Sequence, residues 1–151
     1  MRKDGINMSK IGIILASHGN FAKGALDCLE TIMGKVSDIE TVTVTTSSCV
    51  EDVKSEMHDC YEKLMKTNED VFVLTDILSG TPCNIATNLL LTEKHVTLFA
   101  GFNLPILLEL CIKRQNDNLS AKDLTKHLKE NFVSSLSVYD GKQERGDDNG
   151  Y

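Results

Sequence analysis

Short apolar runs alternate along the chain with longer segments whose apolar residues recur every three or four positions. The first run, Lys10 to Ala16, is almost wholly apolar, the pattern of a strand buried on both faces. From Phe21 to Met33 the residues Ala22, Ala25, Leu26, Leu29, Ile32 and Met33 keep helical spacing, and Gly34 ends the helix. Ile39 to Thr45 sets Val42 and Val44 between threonines, a β-branched strand. Ser48 with Glu51 reads as a capping box for a second helix that runs to Lys66 and turns Val50, Val53, Met57, Tyr61, Leu64 and Met65 inward. Val71 to Thr75 is a third strand. Thr81, a cap, and Pro82 then start a helix to Leu91. Val96 to Ala100 is a fourth strand, and Asn103 caps a helix to Lys113. Ser120 with Asp123 opens a fifth helix to Asn131, and Phe132 to Tyr139 alternates enough for a short last strand.

Strands separated by helices imply an α/β fold: a doubly wound, mostly parallel sheet flanked by helices, with right-handed crossovers. The last strand is polar-flanked. It is either an edge strand or a strand that pairs with a second subunit.

Bulk properties narrow the picture. At 151 residues the chain is expected to form one domain, residues 10–140, after an N-terminal extension at 1–9 and before a disordered, polar tail at 141–151. The net charge of -6 disfavours nucleic acid as a partner and a role as transcription factor. No apolar run reaches the roughly 18–20 residues that cross a bilayer, and the first ten residues hold no signal-peptide core. The five cysteines are scattered without a CxxC pair, so neither disulfides nor a zinc site is indicated, and a reducing cytoplasm is expected.

Two strand ends carry chemistry. His18 follows the first strand within Ala16-Ser17-His18-Gly19-Asn20, and Asp76 follows the third. Open α/β sheets gather ligands at the carboxyl ends of their strands, where strands 1 and 3 are commonly neighbours across the switch point. A carboxylate beside an imidazole accepts one ring N–H and fixes the tautomer, which leaves the other nitrogen free to attack phosphorus. Ser79, Gly80 and Thr81 add hydroxyls and backbone N–H groups at a helix start, suited to phosphate oxygens. Phosphoryl transfer needs mainly positioning and charge stabilisation, so neither a metal nor a cofactor is called for. No Walker-type loop or GxGxxG occurs, so direct nucleotide use is not expected.

These residues match a known pattern. The stretches Ile11 to Gly19, Leu74 to Asn84 and Ala100 to Glu109 resemble the EIIA component of the mannose/fructose/sorbose class of the bacterial phosphoenolpyruvate-dependent sugar phosphotransferase system. The similarity covers residues 10 to 140. It implies a cytoplasmic homodimer in which a last antiparallel strand is exchanged, which would account for Phe132 to Tyr139. It implies that His18 accepts a phosphoryl group on Nε2 from phospho-HPr and passes it to an EIIB component. Asp76 would orient the ring through Nδ1, and Thr81 would lie near it. Association with the EIIC and EIID membrane components would be indirect. Ser79 stands where the family often has glycine, and Cys83 where it often has an aromatic.

Plainer roles exist for each residue. Asp76 could cap a turn and Thr81 a helix; Ser17 fits a turn, and Asn103 and Pro105 fit helix initiation. His58 is expected to be solvated within the second helix, His95 falls in a polar turn before the fourth strand, and His127 falls among lysines in the fifth helix. A Ser17-His18-Asp76 hydrolase triad is rejected, because adjacent strand residues point apart and no nucleophile elbow occurs. Two other functions fit the same fold: the phosphotransfer subunit of a dihydroxyacetone kinase, and a non-catalytic regulatory module. The Ser79-to-Asn84 stretch favours sugar transport over the first, and the pairing of His18 with Asp76 disfavours the second.

Overall fold

In the computed structural model, which describes residues 10–116 and 118–141, the first apolar run becomes β1 (Ile11–His18), ending at His18 rather than Ala16. There follow α1 (Phe21–Met33), β2 (Ile39–Val44), α2 (Val50–Met65), β3 (Asp70–Thr75), α3 (Thr81–Thr92), β4 (Val96–Ala100), α4 (Leu104–Lys113) and α5 (Ala121–Asn131). The expected extension at 1–9 and, apart from Gly141, the expected tail at 141–151 lie outside the described residues.

All strand pairings are parallel, in the order β2-β1-β3-β4. β1 is central, and seven of its eight positions are buried. Its side chains divide by period two. Ile11, Ile13 and Leu15 join Phe72, Leu74, Leu107, Leu110 and Leu124 in one layer with α1, α4 and α5. Ile14 and Ala16 join Val71, Val73, Val53, Leu64 and Leu89 in the other, with α2 and α3. Each fully buried leucine contributes about 1.5–3 kcal/mol relative to an exposed one. Gly12 lets α2 approach β1, since a Cβ there would lie 2.9 Å from Leu64 Cβ.

Arg114, 7% exposed, closes the layer at the amino ends of the strands. Its Nη1 donates to the carbonyls of Ile11 (3.0 Å) and Asp38 (3.3 Å), and its Nη2 to that of Ser37 (2.6 Å). The end of α4 is thereby tied to the starts of β1 and β2.

Local expectations fail at several points. Val50, expected to face inward on α2, is 46% exposed. The capping box at Ser48 does not form: Ser48 Oγ accepts the N–H of Thr45 at 2.9 Å, and α2 begins at Val50 without a side-chain cap. The strand at Phe132 to Tyr139 is also absent from the single chain. Phe132 keeps helical angles, Val133–Ser135 form one tight 3-10 turn, and residues 136–140 join no ladder. The hydroxyls of Ser134 and Ser135 donate to the carbonyls of Asn131 (2.8 Å) and Phe132 (2.6 Å), which favours the turn over extension. The caps at Asn103 and Ser120 form as expected, accepting from Ile106 and Asp123.

Candidate functional site

The order β2-β1-β3-β4 puts the ends of β1 and β3 side by side, at the switch point of the winding. Their ladder stops at the pair Ala16 and Thr75. Beyond it, the backbone N–H of His18 finds a carboxylate instead of a carbonyl: it donates to Asp76 Oδ2 at 2.9 Å. The same oxygen lies 2.9 Å from His18 Nδ1, and Asp76 Oδ1 accepts the N–H of Ile77 at 2.9 Å. On the other side, the N–H of Gly19 donates to Val44 of β2 at 2.8 Å, so both neighbours of β1 brace the histidine.

Burial alone would raise the Asp76 carboxyl. The backbone N–H and ring of His18 and the N–H of Ile77 outweigh it, and hold the group below its ordinary range. An ionised carboxylate only accepts, so Nδ1 is the ring nitrogen that donates to it, and in the neutral ring the lone pair then lies on Nε2. The Asp76 side chain is 14% exposed and that of His18 is 46% exposed. The geometry therefore combines a held inner edge with an open outer one.

Gly80 touches that open edge. A Cβ built on it would lie 2.6 Å from His18 Cε1 and 3.2 Å from Nε2. The backbone at the start of α3 thus passes directly against the ring, and only glycine leaves room. Gly80, extended at φ -93, is itself the N-cap of α3, so Thr81 is the first helical residue rather than the cap that its sequence indicates. No side-chain bond caps the helix. Ser79 stands at φ 65, in the left-handed region where glycine is favoured.

The remaining sequence candidates fall as follows. Ser17 is fully buried and turned away from the ring; its Oγ accepts the N–H of Ala22 at 2.7 Å and serves the start of α1. Asn103 caps α4 and donates to Ser135 Oγ at 2.8 Å, while Pro105 lies in the first turn of α4. The other three histidines lie outside the site, and each is paired with an acid rather than merely solvated. His58 meets Glu93 at 3.1 Å, His95 meets Asp70 at 3.5 Å and His127 meets Glu109 at 2.8 Å. The sequence reading overlooked Ile77 and Leu78, which stand 54% and 73% exposed between Asp76 and Ser79. Two large apolar residues in a loop otherwise rich in Ser, Gly and Thr were the available signal.

The family model EIIA-man, described as PTS system fructose IIA component, matches residues 12–129. The sorbose-specific EIIA component of the phosphotransferase system (PTS) of Lacticaseibacillus casei is 31% identical over 128 residues, covering 83% of this chain and 90% of that protein. The fructose-specific EIIA component of Bacillus subtilis strain 168 is 29% identical over 128 residues, covering 85% and 86%. The crystal structure of a PTS IIA protein associated with the fucose utilization operon of Streptococcus pneumoniae superposes with a TM-score of 0.76 at 30% identity, over 85% of this chain and 93% of that one. A match through the whole sheet and both strand ends of the site makes this chain a member of the EIIA-man family of PTS EIIA components.

Proposed function

We propose that this chain is a cytoplasmic histidine phosphocarrier: His18 takes a phosphoryl group from phospho-HPr and hands it to an EIIB component for sugar uptake. The observation that carries the reading is the Asp76 contact to Nδ1 at 2.9 Å on a ring whose side chain is 46% exposed, in a chain of this family. In the loading step the Nε2 lone pair forms a bond to phosphorus as the donor's N–P bond breaks. The donor imidazole recovers the electron pair of that bond. The unloading step is the same exchange toward the acceptor. Nδ1 keeps its proton throughout, because Asp76 holds it in place.

The moving phosphoryl group carries its charge on three equatorial oxygens. The opening N–H groups of α3 have no partner within the helix, and the helix dipole is positive there. Gly80 and Thr81 supply such N–H groups, Thr81 and Ser79 supply hydroxyls, and the close approach of Gly80 to Nε2 keeps them within reach. Two copies are further proposed to pair through residues 132–139, added as an antiparallel strand to the open edge of β4. Phe132, Val133, Leu136, Val138 and Tyr139 are 44–91% exposed in the single chain, which supports that use. Contact with EIIC and EIID runs through EIIB.

The test is to mix the chain with phosphoenolpyruvate, enzyme I and HPr. The expected result is one phosphoryl group per chain, acid-labile and base-stable, and none on His18→Ala. Uptake that survives this substitution would falsify the proposal.

A further inference from the structure

The loops at the carboxyl ends of the strands, 19–20, 45–49, 76–80 and 101–103, contain no lysine or arginine. Asp76 is their one charged residue, and its two oxygens are taken by His18 and Ile77. The first turns behind these loops add Lys23 on α1 against Glu51 and Asp52 on α2, with Glu51 held by Lys54 at 2.9 Å. The first turns of α3 and α4 add no acid or base.

Apolar side chains stand where charges are missing. Phe21, Val50, Ile77 and Leu78 are 51%, 46%, 54% and 73% exposed. Phe21 is held against Phe102 with ring centroids 5.4 Å apart. Ile77 lies beside the reactive ring: its Cγ1 would meet a Cβ on Gly80 at 3.3 Å, the same point that His18 Cε1 would meet at 2.6 Å. A partner that brings its own imidazole into line with Nε2 must cover whatever flanks His18. Here that is apolar surface, with no cation in the loops to attract an acidic face.

We infer that Leu78, with Ile77 and Phe21, is the anchor on which a phosphohistidine-bearing protein docks, through an apolar patch around that protein's own reactive residue. The inference rests on the function proposed above. A few residues near the centre of a contact carry most of its affinity, while the near-neutral contacts around them serve to exclude water. Leu78 is the most exposed of the four, and the hydrogen bonds that hold the ring are made by His18, Asp76 and Ile77 without it.

The experiment compares two phosphoryl donors on purified full-length protein. Phospho-HPr must dock; phosphoramidate, a small molecule, need not. Leu78→Asp and Leu78→Lys are each expected to lower the second-order rate from phospho-HPr by about tenfold or more, with Leu78→Met within about threefold of the parent. Phosphoramidate is expected to load His18 equally in all four proteins. Transfer from phospho-HPr that is unchanged in both charged variants overturns the inference, and so does a gain for either sign of charge, which would mean electrostatic docking. Loss of phosphoramidate loading in a folded variant overturns it too, since Leu78 would then be shaping the ring. If the parent accepts phosphate from neither donor, the phosphocarrier function itself falls.

Discussion

Gly80 is the residue at which one methyl group would do most harm. Its φ of -93 is open to any residue, so the obstacle is contact rather than strain. The built Cβ, 2.6 Å from His18 Cε1, must push the ring off the Asp76 carboxylate. A displacement on the order of 1 Å in a reacting group can cost about a hundredfold in rate. Gly80→Ala is therefore expected to fold with a near-parental thermal midpoint yet to load from phospho-HPr roughly a hundredfold more slowly, as measured by rapid-quench phosphorylation. Normal loading would show that the ring has somewhere else to go. At this scale His18 and Asp76 were legible in sequence, because chemistry-bearing residues at two strand ends need only a sheet order to meet. The crowding at Gly80 was not, since it arises between loops 58 or more positions apart in the chain. Thr81 misled for a local reason: a Thr-Pro pair reads as a cap and first turn, yet the extended backbone at Gly80 takes the cap position one residue earlier.

Among the elements, the periodic ones were legible and the paired one was not. Helix spacing and apolar runs located four strands and five helices to within a residue or two. The hydroxyl of Ser48 has two backbone partners within reach, and only the fold decides that Thr45 takes it. The segment 132–139 is a sharper case. A strand exists through its neighbour, and in the lone chain serine hydroxyls fold its first residues into a turn. If two copies exchange this segment, the full chain should sediment as a dimer and a chain ending at Ser135 as a monomer. The shortened chain keeps the Asn103 contact to Ser135 and every element of the sheet. A monomeric full chain at tens of micromolar would exclude the exchange.

For the whole molecule, the contact between His18 and Asp76 is also a clasp between β1 and β3, and stability should register it. The Asp76 carboxyl titrates lower in the folded chain than the roughly 3.9 of an unfolded one. Its contribution is therefore complete above the unfolded value and disappears as pH falls through the folded one. Asp76→Asn removes that titration. Urea midpoints should show the parent ahead of the variant from neutral pH to about pH 5, with the gap closing below about pH 4; a gap that holds constant to pH 2 would assign it to packing alone. The β2-β1-β3-β4 order that makes this clasp followed from alternating strands and helices, whereas the buried bridge of Arg114 at the far end gave no signal, since an arginine after a helix reads as surface. That bridge gives the molecule a division of labour along one axis. Damage to the guanidinium's three carbonyl contacts thins the stock of intact protein, while each survivor, its working end some strand-length away, keeps full speed. In a living cell such lesions would be felt as scarcity, and raising expression would cure them.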